Sequence, residues 1–201
     1  ILESTKIKKA YSNRLLGLVN SSSAFIVDIV LKPNTFEYRN HNYYHYKRND
    51  VWTGMYKIGN EWPDGYCIFI PKSSRGGKYA ESMTVLAYMQ YDELKEWQNS
   101  FATIPKHRDS RGESYEEFKI NRAERLIDEA EKKITNLRSV IQSYTVSTPL
   151  TYRDYIGARD GGLYGIAKDY HDPIRTFISP TTKIPNLFFT GQNLNMHGVL
   201  G

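Results

Sequence analysis

The sequence predicts an α+β fold, in which a mostly antiparallel sheet packs with one long amphipathic helix. Short apolar or aromatic stretches separated by turn signals run through residues 24–89, which is typical of strands. Residues 114–137 then keep a helical spacing of apolar positions. The chain has 201 residues, of which 40% are hydrophobic and 24% charged, and this is enough to build a packed core.

The strand predictions begin with an apolar, β-branched run. Residues 24–31 are apolar except for Asp28 and are followed by Pro33 and Asn34, so we expect a buried strand that ends there. Turn residues such as Asn49, Gly59 and Pro63 separate the shorter candidates. These candidates are residues 43–46, 66–70, 83–89, 140–146 and 186–190.

Three helices are predicted from periodicity and capping residues. Residues 4–16 have helical spacing, with Ser4 or Thr5 as the N-cap and Gly17 as the stop. The long helix over 114–137 begins with Ser114 and Glu117, which are spaced as a capping box. A short helix is expected after Thr148, and residues 157–186 are rich in Gly, Pro and Asp and predict a loop.

Charge and composition exclude several classes of function. The net charge is +5, but the basic residues form only short, scattered stretches, which favours solvated surface over nucleic-acid binding. His41 and His45 stand four apart on a predicted strand, where they are too distant to share a metal ion. Cys67 is the only cysteine and is expected to be a buried, inert thiol. No apolar run reaches the roughly 18 residues of a membrane span.

The clearest functional pattern lies in residues 184–199. An apolar strand candidate ends at Gly191, polar residues follow, and a second glycine, Gly198, comes where a helix is expected to begin. Glycine lets the backbone approach a ligand closely, and a helix N-terminus attracts an anion. The pattern therefore predicts a phosphate or flavin site, with a glycine loop that binds nothing as the alternative. Gly161, Gly162 and Gly165 are interpreted as loop positions that need positive φ.

These residues closely resemble the C-terminal FAD motif of the phytoene desaturase, carotenoid isomerase and retinol saturase group of flavin oxidoreductases, above all its retinol saturase-like branch. The segments that carry the resemblance are Leu187-Phe188-Phe189-Thr190-Gly191-Gln192 and His197-Gly198-Val199. Upstream, residues 148–155 and 162–166 resemble segments that precede the motif in that group. Residues 9–52 resemble its substrate domain.

The resemblance implies an FAD-binding Rossmann domain with an inserted substrate domain. Residues 1–148 are then the substrate-binding domain, and 149–201 are a segment that returns to the FAD-binding domain and stops before its last helix. The Gly-x-Gly-x-x-Gly fingerprint that holds the diphosphate of FAD in this group is absent. We therefore expect a fragment of a longer chain, inactive by itself.

The resemblance also assigns site residues. Gly191 and Gln192 match residues beside the diphosphate and ribitol, although many relatives have an acid in place of Gln192. The full cofactor-binding set is Gly191, Gln192, Asn193, His197, Gly198 and Val199, and the substrate set is Tyr164, Gly165 and Ile166. No catalytic residue is identified, and no metal is expected.

The function implied by the resemblance is oxidoreduction of an apolar, isoprenoid-like polyene. FAD is the expected cofactor, with NAD(P) as a second candidate, and the reaction is saturation, desaturation or isomerisation of C=C bonds. The retinol saturase-like motif favours saturation. The alternatives are a stand-alone apolar-ligand or protein-binding module without catalytic activity, and a generic α+β interaction domain. We expect a cytoplasmic protein, with peripheral membrane contact left open, and make no prediction of oligomeric state.

Overall fold

Five antiparallel strands form one open sheet in the computed structural model, which describes residues 4–53, 56, 58–103 and 111–198. The strands are β1 (Ser23–Leu31), β2 (Tyr43–Tyr46), β3 (Gly65–Phe69), β4 (Ser82–Met89) and β5 (Ile141–Ser147). Their order across the sheet is β2-β3-β4-β1-β5. The predicted α+β class and the antiparallel sheet are confirmed.

Strand β1 lies between β4 and β5, and from Val27 onwards it is buried on one face of the sheet only. Val27 lies opposite Val85 of β4 on one side and Val146 of β5 on the other. Side chains of a strand alternate between faces, so Val27 and Ile29 point into the core whereas Asp28 and Val30 are exposed. The prediction of a buried strand is therefore correct for both faces at Ala24 and Phe25 and for one face beyond them, as is usual in antiparallel sheets.

One long helix covers the buried face. This helix, α2, spans Gly112–Glu131 and turns its small and aliphatic side chains towards the sheet. Ala123, Leu126, Ile127 and Ala130 are completely buried and belong to the same core cluster as the inward residues of β1 and β4. Burying a Leu or Ile side chain contributes about 1.5–3 kcal/mol, so this amphipathic stripe fixes which face of the sheet is covered.

The long helix is shorter than its periodicity predicts. It ends at Glu131, and a turn through Asn136, which has φ 63°, leads to a short helix α3 (Leu137–Val140). The apolar period continues past the helix end because Leu137 still reaches the core, where it is fully buried. The predicted capping box is wrong: Ser114 lies inside the helix, and its hydroxyl accepts a hydrogen bond from Trp97 Nε1 at 3.2 Å.

The shorter helices match the predictions at some ends and not at others. The N-cap of the first helix is Lys8 rather than Ser4 or Thr5, because Ser4 instead accepts a backbone turn bond from Ile7. Gly17 is its C-cap, as predicted. Thr148 caps the helix that follows β5, again as predicted. These helices are α1 (Lys9–Leu16), α4 (Pro149–Ile156) and α5 (Pro173–Thr176).

The strand predicted over residues 186–190 does not form. Phe188 makes one isolated antiparallel bridge with Thr181, and Phe189 donates to the carbonyl of Pro180 at 2.8 Å. Asn186 has φ 61°, which turns the chain immediately before the apolar residues. A strand needs a neighbouring strand for its backbone hydrogen bonds, and within the described residues this segment has only the bridge at Thr181.

The chain divides into two compact units. The larger is residues 22–161 and contains the sheet, while the smaller combines residues 1–21 with 162–201. Leu150 of α4 is buried with Leu94 and Tyr115 in a second core cluster of the larger unit. The domain boundary at residue 148 stays a prediction. No helix in the described ranges has the length and apolarity that crossing a bilayer requires.

Candidate functional site

Two loops of the smaller unit bring the predicted cofactor and substrate residues together. Residues 163–168 form the first loop and residues 191–198 the second. Gln192 joins them: its Nε2 donates to the carbonyl of Leu163 at 3.1 Å, and its Oε1 accepts from the backbone N–H of Gly198 at 3.3 Å. The amide thus holds the first loop and closes the turn of the second with one side chain.

A histidine makes the second link between the loops. His197 Nε2 lies 2.9 Å from the carbonyl oxygen of Ile166. Because a carbonyl only accepts, this bond assigns the proton of the neutral ring to Nε2 and leaves Nδ1 as an acceptor. The ring of Tyr164 is stacked near that of His197, with centroids 6.1 Å apart and planes inclined by 22°. Two predicted substrate residues therefore contact a predicted cofactor residue.

A glycine allows the two loops to pack directly. Gly165 has φ 78°, and a Cβ placed on it would lie 2.9 Å from Cα of Asn193, closer than real side chains approach. Two independent reasons therefore require glycine at this position: its positive φ and its close contact with Asn193. The expectation of a positive-φ glycine in this loop is confirmed at Gly165, and Asn193 supplies the reason for the close approach.

Two further glycines face open space. Gly191 has φ 113° and Gly198 has φ 80°, and a Cβ on either would meet no atom of the described residues within 4 Å. Within the described residues no packing contact explains them, so the second loop exposes bare backbone at these two positions. Gly59, Gly76 and Gly157 share this property, so the geometry alone does not identify a ligand. Val199, which was predicted to belong to the same site, lies outside the described residues.

The structure modifies what the resemblance implied for Gln192. A side-chain amide has two N–H donors and two acceptor lone pairs, and one of each is already used within the protein. Among the described residues, one donor and one lone pair of this amide have no protein partner. In this chain the Gln192 amide joins the two loops. A carboxylate at this position has no N–H, so an ionised acid could not donate to the Leu163 carbonyl.

Two site residues were missed from the sequence. Asn195 pairs with the backbone of Ile178 through both ends of its amide, at 2.9 Å to the N–H and 2.7 Å to the carbonyl. Lys168 donates from its ammonium to the carbonyls of Leu194 and Thr176. Single Asn and Lys residues in a polar loop carry no distinguishing pattern, so no signal in the sequence marks them.

The larger unit has its own candidate ligand surface, the open face of the sheet. This open face is rich in aromatic and apolar side chains that are half-buried or exposed. Tyr44 is 63% exposed, and its ring meets that of Phe69 edge-on at 6.0 Å. Its members on β2, β3 and β4 are Tyr44, Tyr46, Cys67, Phe69, Leu86 and Tyr88.

Cys67 on this face is half-buried rather than fully buried. It lines a cavity of about 20 Å³ together with Val51 and Tyr88. Burial raises the pKa of the Cys67 thiol, which keeps it protonated and weakly nucleophilic at neutral pH. The expected lack of reactivity therefore has a physical basis, although the thiol is nearer to solvent than predicted.

The buried charges of the larger unit hold its loops in place. The carboxylate of Glu93 pairs with Arg122 of α2, whose guanidinium lies over the ring of Trp62 at 5.1 Å. Burial raises the pKa of Glu93, although the charge of Arg122 acts in the opposite direction. This pair anchors the 3-10 segment at residues 91–97 to α2, and its contacts assign it no chemical role.

A second buried carboxylate, Asp154, ties α4 to the start of α2. It pairs with Arg111 and with Arg153, the latter at 2.7 Å, and accepts from the backbone N–H of Ala102 at 2.7 Å. Burial acts to raise the pKa of Asp154, but the hydrogen bonds from Ala102 and the two arginines outweigh it and lower the pKa. Across the residues that the structure describes, no group of three or more His, Cys, Asp or Glu side chains is arranged to hold a metal ion.

No protein-family model matches the chain. Similarity to individual proteins does exist: 123 residues are 30% identical to the all-trans-retinol 13,14-reductase of Macaca fascicularis and 32% identical to that of Rattus norvegicus. The corresponding reductase of Danio rerio is 29% identical over 125 residues. Each match covers 60% of this chain but only 19% of the relative, so the matched part is about a fifth of those proteins. These similarities support a distant relationship between this chain and the retinol saturase-like reductases.

Proposed function

We propose that this chain is part of an FAD-dependent oxidoreductase that saturates a C=C bond of a retinoid or a similar apolar polyene. The similarity to all-trans-retinol 13,14-reductases supports the reaction class and the polyene substrate. The observation that carries the cofactor assignment is that the second loop, which resembles an FAD motif in sequence, has two positive-φ glycines, Gly191 and Gly198, with no described atom beside them. A loop of this kind presents backbone groups to a ligand that lies against it.

In this proposal the two loops form one edge of the cofactor site. Gln192 and His197 hold the loops together through the carbonyls of Leu163 and Ile166. The bare backbone at Gly191 then lies where the cofactor approaches. The other contacts to FAD belong to parts of the protein outside this chain, which matches about a fifth of its relatives' length. NAD(P)H is retained as the proposed source of electrons, which it would pass to the flavin as a hydride.

The open face of the sheet is the proposed wall of the polyene site. Its Tyr and Phe rings offer large apolar surfaces with polar edges, a composition typical of pockets for elongated apolar ligands. Tyr44 and Tyr46 are 63% and 46% exposed, so they retain surface that a ligand would bury. At about 25 cal/mol per Å² of apolar area removed from water, covering such rings favours binding of a polyene.

The overall reaction adds one hydride and one proton across a C=C bond. When bound in its reduced form, the flavin would supply the hydride and become oxidised, and solvent would supply the proton. The chain's own contribution is to keep the loop backbone in place and to exclude water from the apolar face.

The test uses the full-length protein from which this chain derives. We expect it to purify with a flavin absorption spectrum and about one FAD per chain. After anaerobic reduction, mixing with all-trans-retinol is expected to reoxidise the flavin and to yield a product heavier by one H₂. A colourless protein, or a flavoprotein whose reduced form all-trans-retinol leaves reduced, contradicts the proposal.

Matched glycine variants locate the cofactor contact. Gly191→Ala and Gly157→Ala both place a side chain at positive φ with no protein atom within 4 Å, but only Gly191 lies in the second loop. We expect Gly191→Ala to weaken FAD binding at least tenfold and Gly157→Ala to leave it unchanged. Equal affinities in the two variants would remove the loop from the cofactor site. The 201-residue chain by itself is expected to be colourless.

A further inference from the structure

Within the described residues Lys168 has no carboxylate partner, and its ammonium bonds to the backbone of the second loop. The ammonium of Lys168 donates to the carbonyl of Leu194 and, at 3.3 Å, to the carbonyl of Thr176, the last residue of α5. Leu194 in turn closes the turn that starts at Gly191, since its N–H donates to the Gly191 carbonyl at 3.1 Å. The positive charge of Lys168 is therefore attached directly to the turn that carries the open glycine.

Nearby acids do not neutralise this charge. In the described part of the chain, no carboxylate lies within 4.0 Å of the Lys168 ammonium. The carboxylate of the adjacent Asp169 accepts from the backbone N–H groups of His171 and Asp172, and that of Asp172 accepts from the N–H of Arg175. Burial lowers the pKa of Lys168, because removing the ammonium from water disfavours its charged form. Two carbonyl dipoles compensate this cost only in part.

Holding the loop does not by itself require a charge. Asn195 of the second loop holds the backbone of Ile178 with a neutral amide, which accepts from its N–H and donates to its carbonyl. A lysine performs a similar task at a higher desolvation cost, and two of the three donors of its ammonium are occupied. The remaining donor and the uncompensated charge suit an anionic ligand group next to the turn.

We propose that Lys168 is a positioning residue that gives the second loop the positive charge it presents to the diphosphate of the cofactor. The inference rests on the proposed function, in which FAD lies along this loop. Lys168 acts in two ways: it fixes the turn at Gly191 through the Leu194 carbonyl, and its charge attracts the cofactor's anionic part. A neutral flavin without phosphates gains only from the first effect.

The experiment compares FAD with riboflavin, which has no phosphate, as probes of the full-length protein. Lys168→Gln keeps an N–H donor but removes the charge, Lys168→Met removes both, and Lys168→Arg keeps the charge. Lys183→Met is the control, because Lys183 is an exposed lysine of the same unit. Dissociation constants are measured by flavin fluorescence, and the melting temperature of each apoprotein is recorded.

We expect Lys168→Gln and Lys168→Met to weaken FAD binding by roughly tenfold to a hundredfold, the loss of one charge-assisted contact. Riboflavin affinity is expected to change less than threefold in Lys168→Gln, while Lys168→Arg recovers much of the FAD affinity and Lys183→Met resembles the wild type. Equal loss of FAD and riboflavin affinity, with a lower melting temperature, would make Lys168 a purely structural residue. Wild-type FAD affinity in Lys168→Gln would also overturn the inference. If the wild-type protein binds no FAD, the proposed function fails instead.

Discussion

Two glycines near the end of the larger unit form a matched pair for a stability test. Gly157 and Gly161 both have positive φ, 73° and 62°. A Cβ on Gly157 would meet nothing within 4 Å, whereas one on Gly161 would lie 2.8 Å from the carbonyl carbon of Pro149 and 2.9 Å from its Cα. Gly161 also accepts a hydrogen bond from the buried hydroxyl of Ser23 at 2.5 Å. Comparing Gly157→Ala with Gly161→Ala separates the backbone cost from the packing cost.

The expected magnitudes follow from these contacts. A non-glycine residue in the left-handed region costs about 1–2 kcal/mol, and both variants incur this. Forcing extra atoms into a packed site costs about 1–3 kcal/mol more, and only Gly161→Ala incurs this because the obstruction is backbone and cannot rotate away. We therefore expect the free energy of unfolding to fall by about 1–2 kcal/mol in Gly157→Ala and about 2–5 kcal/mol in Gly161→Ala.

The assay is urea unfolding of the 201-residue chain, followed through its larger unit, which contains both core clusters. Fluorescence of the buried Trp62 reports the loss of the core. Unchanged denaturant slopes would show that both variants unfold from the same native state. Equal destabilisation by the two substitutions would refute the close approach of Gly161 to Pro149, and a larger effect of Gly157→Ala would refute the reasoning altogether.

Three further predictions concern single side chains. Thr148→Ala removes the N-cap of α4 and a buried hydroxyl, so we expect a loss of about 2–3 kcal/mol in urea unfolding that Thr148→Ser largely restores. Arg122→Met leaves Glu93 buried without its partner and is expected to cost about 3–5 kcal/mol at pH 7. Because burial raises the pKa of Glu93 in the folded state, the lost stability returns as the pH falls towards 4.5, and a pH-independent loss would contradict this. Gln192→Glu places a carboxylate against the carbonyl of Leu163, so the full-length protein is expected to melt at a lower temperature and bind FAD more weakly, and wild-type melting would argue against the link between the loops.

The elements that the sequence predicted well are those set by local physics. The alternation in β4 and the helical stripe of α2 depend on side chains a few residues apart, so periodicity alone locates them. Thr148 followed by Pro149 predicted a helix start because both signals act within one turn. Ser114, in contrast, has the right spacing for a cap, but the helix begins before it at Gly112. Its hydroxyl accepts a hydrogen bond from Trp97 instead.

The sequence also indicated the region of the candidate site but not its internal connections. Glycines at 165, 191 and 198 were visible as positions with special backbone requirements. Which of them meets protein and which meets open space depends on where Asn193 lies after folding. The strand predicted over 186–190 failed for a related reason: a strand depends on a partner elsewhere, and apolar residues in a row do not supply one.

Taken alone, the sequence determined the α+β class, the order of the strands along the chain and the two segments in which a ligand site is expected. Only the tertiary structure decided which sheet face α2 covers, and that the first loop is held against the second by Gln192 and His197. It also placed Lys168 on the carbonyl of Leu194, 26 residues along the chain. The physical reason is the sequence distance between the interacting residues. Local patterns reflect only how a residue relates to its own helix or strand. Contacts between loops depend instead on which backbone groups of distant segments meet, and no spacing within one segment encodes that.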